Sequence, residues 1–256
     1  MIKNTHNHTL QSKTALVTGV SRGIGKEITC NLIKNGYTVH GTYNQSYKHA
    51  KQLKLKYGNK IKLHKVNFCK RNQTLKFLNK LKSIKFDAVV NNAGMFEPES
   101  INKFNYQTWD NTLEVNLTTP LLITLTLKRN IKRFGSVVNI SSTDAMIGSF
   151  ASISYAASKA ALLNLTKSLA NNLGKLQIRV NCISPGWINT SMATQQSYNA
   201  GKLTPLGRNG KVKEIAEVAT FLISNKASFI NGANIVVDGG YTNVDSIMKD
   251  EAFTVK

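Results

Sequence analysis

The chain has 256 residues, 41% of them hydrophobic, and carries 34 Lys and Arg against 13 Asp and Glu, a formal net charge of +21. That length and apolar content suffice for one full core, and no Pro/Ser/Gly-rich linker divides it. No apolar run approaches the roughly 18 residues of a membrane span, residues 1–12 lack the apolar stretch of a secretory signal, and Cys30, Cys69 and Cys182 are too scattered for a disulfide framework or a metal site. The expectation is a soluble cytoplasmic protein with no membrane partner, reduced thiols, no metal and a flexible N-terminus over 1–12.

Strands and helices alternate along the chain. A short apolar run at 13–18 ends at Gly19, and a helical pattern follows at 24–35. The order then repeats: strand 37–42, helix 46–57, strand 61–66, helix 72–82, strand 86–91, long helices over 108–133, strand 135–141, helix 153–173 and strand 177–183. A last helix at 213–224 and strand at 234–237 close it. Such alternation predicts an α/β fold: a single Rossmann-type, doubly wound parallel sheet of about seven strands with helices on both faces.

The turn after the first strand reads Thr18-Gly19-Val20-Ser21-Arg22-Gly23-Ile24-Gly25. Glycines there let the backbone turn sharply and approach a pyrophosphate, whose charge is met by the free N–H groups and dipole of the helix opening at Ile24. Much further on, Tyr155 and Lys159 stand four apart on a predicted helix and share a face. A phenol of intrinsic pKa about 10 beside a fixed ammonium is drawn toward the phenolate, so Tyr155 can serve as a general acid. The plainer alternative is a ring resting on a Lys stem.

The cationic excess suggests nucleic acid. It is carried mostly by Lys, however, and is spread over several predicted helix faces with no helix-turn-helix, zinc or aromatic stacking motif beside it; from residue 28 to 86 there is no acid at all. No nucleic-acid partner is expected. A positive field serves instead to draw in anionic ligands such as a dinucleotide phosphate or an acidic carrier protein.

Six motifs fall in order: Thr18-Gly19-x-x-x-Gly23-x-Gly25, Asn91-Asn92-Ala93-Gly94, Asn116, Ser142, Tyr155-x-x-x-Lys159 and Pro185-Gly186. On these the chain resembles the classical branch of the short-chain dehydrogenase/reductase family, from about residue 13 to 242. The resemblance implies that Tyr155 protonates a carbonyl oxygen, Ser142 hydrogen-bonds that oxygen, Lys159 binds the nicotinamide ribose and depresses the Tyr155 pKa, and Asn116 holds a relay water. It also implies a cofactor lined by Gly19, Ser21, Arg22, Gly23, Ile24 and Gly25, by Asn67 at the adenine, by Asn91, Ala93 and Gly94, and by Pro185, Gly186, Ile188 and Thr190 near the carboxamide, with Tyr155 and Lys159 completing the contact.

NADP(H) is favoured over NAD, because the second strand ends in Tyr43 followed by Asn44, Gln45 and Ser46 with no ribose-binding acid, and Arg22 precedes Gly23. Asn67-Phe68-Cys69-Lys70 departs from the Asp-Val-x-Asp common in relatives. The tracts Leu206-Gly207-Arg208 and Val237-Asp238-Gly239-Gly240 are similar to the branch that reduces 3-oxoacyl groups on an acyl carrier protein or CoA. The implied substrate is therefore such a thioester, with Lys132, Arg133 and Lys175 as carrier contacts. The alternative is a polar molecule such as a keto sugar, motivated by a polar lid at about 187–205 that holds Thr194, Gln195, Gln196, Ser197 and Asn199 beside the larger Trp187, Met192 and Tyr198. A catalytically inactive NADP-binding or interaction protein is disfavoured by the intact Asn116, Ser142, Tyr155 and Lys159. Helices near 117–133 and 153–173 imply a homotetramer or homodimer, and the tail at 243–256 has no assigned role.

Overall fold

The computed structural model describes residues 13–190 and 200–245. The expected N-terminal segment, the lid residues Met192, Thr194, Gln195, Gln196, Ser197, Tyr198 and Asn199, and the tail from 246 onward lie outside the described residues. In chain order the elements are β1 (Lys13–Val17), α1 (Gly23–Lys34), β2 (Tyr37–Tyr43), α2 (Tyr47–Tyr57), β3 (Ile61–Lys65), α3 (Arg71–Leu81) and β4 (Phe86–Asn91). They continue with α4 (Tyr106–Leu113), a π-helical turn (Glu114–Thr118), α5 (Thr119–Leu127), β5 (Ile131–Ile140), α6 (Ile153–Leu173), β6 (Arg179–Pro185), β7 (Ile188–Asn189), β8 (Gly210–Lys211), α7 (Val212–Ile223) and β9 (Asn234–Val237).

Seven strands form one parallel sheet in the order β3-β2-β1-β4-β5-β6-β9, and β7 pairs with β8 apart from it. Because side chains alternate across a strand, each strand feeds two cores. Ala15, Val17, Ala88, Val90, Val138 and Ile140 face one side, under α1, α2 and α7. Leu16, Val89, Val137 and Val180 face the other, under α3, α5 and α6. The strand order reverses between β1 and β4, and the crevice that opens beyond the carboxyl ends at such a point is where this architecture binds ligands. No helix among the described residues is long and apolar enough to cross a membrane.

One expected boundary is corrected. The helix anticipated as far as 133 ends at Leu127, and the strand anticipated from 135 begins at Ile131. Ile131 is buried and pairs with Phe86, after which the register shifts before Ala88–Ser136, so a bulged strand takes the place of a last helical turn. Gly135 permits the bulge: a β-carbon there would stand 2.6 Å from Ile131 Cγ2 and 2.8 Å from the Lys132 carbonyl oxygen. Lys132 therefore opens β5, where its Nζ donates to both oxygens of Asp87 at 3.1 Å. Within one chain that is the far end of a ten-residue strand from Ser142, on the order of 30 Å away.

Where β2 and β3 pair, His40 and His64 stack with ring centroids 5.3 Å apart, His40 Nδ1 is 3.2 Å from His64 Nε2, Phe86 meets His40 edge-on and Phe77 lies tilted against His64. Burial, then the neighbouring His64 and Lys62, lower the His40 pKa to about 4. The unfolded chain thus takes up a proton near pH 6.5 that the folded chain refuses until about 4, so this contribution is complete above 6.5 and is lost as pH falls through that window. Urea unfolding at pH 7 and pH 5 is expected to show a loss of about 2 kcal/mol attributable to this residue, reduced in His40→Leu. An equal pH dependence in the variant would refute the assignment.

Candidate active site

The carboxyl ends of β1, β4, β5 and β6 bring the expected residues to one cleft. At β1, Gly19 and Gly23 adopt φ of +73° and +57°, conformations that side chains with a β-carbon resist. The Thr18 hydroxyl accepts from Asn92 and Ala93 N–H at 2.9 Å each, and Asn92 Nδ2 donates to the Thr18 carbonyl at 2.8 Å, so the Gly-rich turn is stapled to the end of β4. Gly25 completes the approach, since a β-carbon there would stand 2.3 Å from Asn92 Nδ2. The α1 N-terminus has no side-chain cap and no acid in its first turn, leaving its N–H groups for an anion. Thr190, far away in sequence, lies 3.8 Å from where a Gly23 β-carbon would be. Arg22 is exposed beside the turn, and Tyr43 ends β2 against Tyr47, ring centroids 5.8 Å apart.

Two expected contacts change in character. Asn91, expected along the cofactor, has its side chain buried between sheet and helix, where Nδ2 donates to Asn139 Oδ1 at 2.8 Å and reaches Thr124 Oγ1 at 3.4 Å. Asn139 in turn donates to Thr166, so Asn91 ties β4 to β5 and α6 behind the cleft. Asn67 folds its own turn, its Oδ1 accepting the Cys69 N–H at 3.0 Å, as a short polar side chain commonly does. Pro185 ends β6, and Gly186 follows so closely against Asp238 that a β-carbon would lie 2.6 Å from Asp238 Cβ. Ile188 enters the small β7–β8 pair.

At the centre, Lys159 is 3% exposed and its Nζ donates to the Ile140 carbonyl at the end of β5, 2.7 Å away. Ser141 clasps the same junction, its hydroxyl donating to the Lys159 carbonyl at 3.0 Å. Lys159 Nζ also lies 5.5 Å from the centre of the Tyr155 ring, and Phe96 meets that ring edge-on at 5.4 Å and 87°. Ser142 stands close enough to Tyr155 for its hydroxyl to pull the phenol's pKa down, so the two border one place where a carbonyl oxygen can sit. Asn116, in the π-helical turn, spends its amide on Met95 N–H (2.8 Å), Met95 carbonyl (2.9 Å) and Ser158 Oγ (3.0 Å). Its side chain thus straps the loop after β4 to α6. A β-carbon on Gly94 would stand 3.5 Å from Asn116 Oδ1 and 3.7 Å from Lys159 Nζ, so both groups border the same small space.

The electrostatics depart from the expectation that Lys159 depresses Tyr155. Burial raises the Tyr155 phenol to about 12, against a lowering by the Ser142 hydrogen bond and with a further rise from Asp144. Burial likewise lowers the Lys159 ammonium to about 8, opposed by Cys182 and Asp144. Desolvation is the largest influence on both groups, acting on a buried Lys159 and a partly buried Tyr155. Tyr155 is consequently fully protonated at neutral pH, the form a proton donor requires. Asp144, half-buried two residues past Ser142 and hydrogen-bonded to it, is a charged group of the site that sequence reading missed; burial raises its pKa. No motif marks it. Only its spacing from Ser142 could have drawn attention.

A family model described as enoyl-(acyl carrier protein) reductase matches residues 19–242. The chain is 38% identical over 247 residues to the 3-oxoacyl-[acyl-carrier-protein] reductase of Chlamydia muridarum (strain MoPn / Nigg), covering 91% of this chain and 99% of that one. It is 32% identical over 251 residues to the NADP-dependent mannitol dehydrogenase of Hypocrea jecorina (strain ATCC 56765 / BCRC 32924 / NRRL 11460 / Rut C-30), covering 91% and 93%. Among solved structures, a short chain dehydrogenase from Burkholderia cenocepacia J2315 in complex with NADP superposes with a TM-score of 0.86 at 29% identity, covering 91% of this chain and 99% of that one.

A buried ammonium with a lowered pKa predicts a definite pH dependence. The unfolded chain protonates Lys159 near 10.4 and the folded chain near 8, so the cost of burying the charge is present below 8 and fades as pH rises toward 10. The stability of the native chain relative to Lys159→Met should rise by about 2 to 3 kcal/mol between pH 7 and pH 10 in urea unfolding. A constant gap across that range would show that the ammonium is not desolvated.

Proposed function

The chain belongs to the short-chain dehydrogenase/reductase family, and from that premise we propose that it reduces a ketone to a secondary alcohol with NADPH. The observation that carries this reading is the convergence of Tyr155, Ser142 and Lys159 on one side of a cleft whose other side is an anion-ready, Gly-rich turn. The residues present fit the dinucleotide. The uncapped N-terminus of α1 and the close approach at Gly19 and Gly23 suit a pyrophosphate, and the exposed Arg22, with no acid at Tyr43 or after it, suits a 2′-phosphate.

When bound, the reduced nicotinamide supplies the hydride. Ser142 donates a hydrogen bond to the carbonyl oxygen and fixes its position. Tyr155, protonated at working pH, gives its proton to that oxygen as negative charge develops there; general acid catalysis of this kind contributes about 10²- to 10⁴-fold. The Lys159 ammonium, 5.5 Å from the centre of the Tyr155 ring and bonded to the Ile140 carbonyl, keeps further N–H donors for ribose hydroxyls.

The substrate we favour is a 3-oxoacyl thioester on an acyl carrier protein or CoA. The segment between Ser142 and Tyr155 exposes Met146, Ile147, Phe150 and Ile153, with Phe96 and Trp187 also exposed, an apolar rim suited to an acyl chain. A second reading, a polar polyol or keto sugar, is favoured by Asp144, whose carboxylate beside Ser142 would accept from a substrate hydroxyl. The cationic surface fits an acidic carrier, with Arg133 and Lys175 exposed and Lys132 already engaged by Asp87. Assembly into a dimer or tetramer in the cytoplasm belongs to the same reading.

Loss of NADPH absorbance is to be followed with acetoacetyl and enoyl thioesters, keto sugars and simple ketones. Turnover is expected with the acetoacetyl thioester, to fall at least roughly 100-fold in Tyr155→Phe, and to be weaker with NADH. Turnover of a keto sugar alone would move the assignment to the second reading, and full activity in Tyr155→Phe would remove the mechanism. Arg22→Ala should raise the KM for NADPH and leave that for NADH nearly unchanged; a loss of equal size with both cofactors would sink the phosphate contact.

A further inference from the structure

The loop leaving β4 does more than connect it to α4. Its residue Met95 is held from both sides by Asn116, through the N–H at 2.8 Å and the carbonyl at 2.9 Å. Four residues on, Glu99 is held to the start of α6: its N–H donates to the Ala151 carbonyl at 2.7 Å, and its carboxylate accepts the Ser154 N–H at 2.8 Å and the Ser154 hydroxyl. Between these two feet stand Phe96, Glu97 and Pro98. Phe96 presses edge-on against the Tyr155 ring at 5.4 Å.

The capping is supplied from outside the helix for a visible reason. Ser152, at the N-cap of α6, makes no side-chain cap, and its hydroxyl lies 2.7 Å from Ser149 Oγ instead. The N–H of Ser154, in the first turn, would then be orphaned in a buried position, since Ser154 is 1% exposed. Glu99 satisfies it and places a negative charge at the positive end of the α6 dipole. Tyr155 is the next residue. The reacting phenol therefore rides on a helical turn whose end is fixed by a carboxylate brought in from another loop, and its ring is held by the same loop.

We propose that Glu99 is a positioning residue for Tyr155, anchoring an arch from Met95 to Glu99 that clamps the first turn of α6 and sets the phenol over the substrate carbonyl. This rests on Tyr155 being the proton donor. The arch touches the proton-delivery side of the cleft and not the Gly-rich turn, so its loss separates turnover from cofactor binding. A displacement of a reacting group by about 1 Å costs up to 100-fold in rate.

The test measures kcat, KM for NADPH and NADPH binding by fluorescence in Glu99→Ala, Glu99→Gln, Ser154→Ala and Tyr155→Phe. Glu99→Ala is expected to lower kcat roughly 10- to 100-fold with NADPH affinity within about twofold of the native chain. Glu99→Gln should keep most of kcat, because its amide oxygen accepts the Ser154 N–H and its amide nitrogen donates to the Ser154 hydroxyl. Ser154→Ala should fall between them, and adding it to Glu99→Ala should cost little more, since both remove one contact. Native kcat in Glu99→Ala, a Gln variant no better than the Ala variant, or parallel loss of NADPH binding would each overturn the proposal. If Glu99→Ala does not fold, Ser154→Ala decides: unchanged kcat overturns the arch. Activity surviving in Tyr155→Phe sinks the proton-donor reading and the purpose given to Glu99 with it, whereas a silent Tyr155→Phe beside a fully active Glu99→Ala sinks the arch alone.

Discussion

The rest of the site is arranged around one costly contact, the buried ammonium of Lys159 on the carbonyl of Ile140. A lysine stripped of water with a single strong acceptor is held below its ordinary pKa, and such a group persists only where surrounding structure over-determines it. Here the determination is visible. Ser141 binds the Lys159 carbonyl, Ser158 binds the Tyr155 carbonyl at 2.7 Å, and Asn116 binds Ser158. The backbone of α6 around Tyr155 and Lys159 is thus fastened to β5 and to the loop after β4 by small hydroxyls and amides. Desolvation moves the two groups in opposite directions, lowering the ammonium and raising the phenol.

Parallel strands make this possible because they deliver their carboxyl ends to one edge, where unlike segments meet. β1 brings the turn for an anion, β4 brings Asn92 to staple that turn and Met95 to start the arch, β5 brings Ile140 and Ser142, and β6 brings Pro185 and Gly186. The opposite end of the sheet is structural in this chain. Asp87 there accepts the Thr14 N–H at 2.7 Å and both contacts from Lys132, tying the openings of β1, β4 and β5 together. Buried amides between the ends, Asn91 to Asn139 to Thr166, fix the depth at which α6 lies on the sheet.

The sheet, its seven strands and the Gly-rich turn were legible in the sequence, as was the nearness of Tyr155 to Lys159, because each depends on local spacing: period two for strands, four residues for a shared helix face, glycine where the backbone must turn; Ser142 was singled out by family resemblance. What escaped depends on partners distant in the chain. The early start of β5 is set by Phe86 and Asp87, over forty residues away, and cannot be seen in a stretch that reads as continuing helix. The inward turn of Asn91 follows from Asn139 and Thr124. The raised pKa of Tyr155 follows from burial, which the four-residue spacing to Lys159 does not encode. Asp144 and Glu99 carry no motif, and the stacked His40 and His64 lie on strands that pair only once folded.

The charge of the chain sharpens the meaning of these acids. With 34 cations against 13 acids, a carboxylate on a surface facing solvent would find a positive neighbour almost anywhere and gain little from it. Five of the described acids nevertheless stand where a backbone N–H or the cleft receives one. Asp87 serves the foot of the sheet, and Glu99 the start of α6. Glu214 accepts the Lys211 N–H at 2.6 Å at the start of α7 while Arg208 holds it, and its pKa falls to about 2, led by that Arg208 bond. Asp238 accepts from Gly240 and Thr242 in the turn after β9, and Asp144 stands beside Ser142. Lysines can multiply over exposed helix faces at little cost to the fold. These five mark positions where geometry calls for an acceptor: Glu99 caps the helix that carries Tyr155, and Asp144 stands beside Ser142.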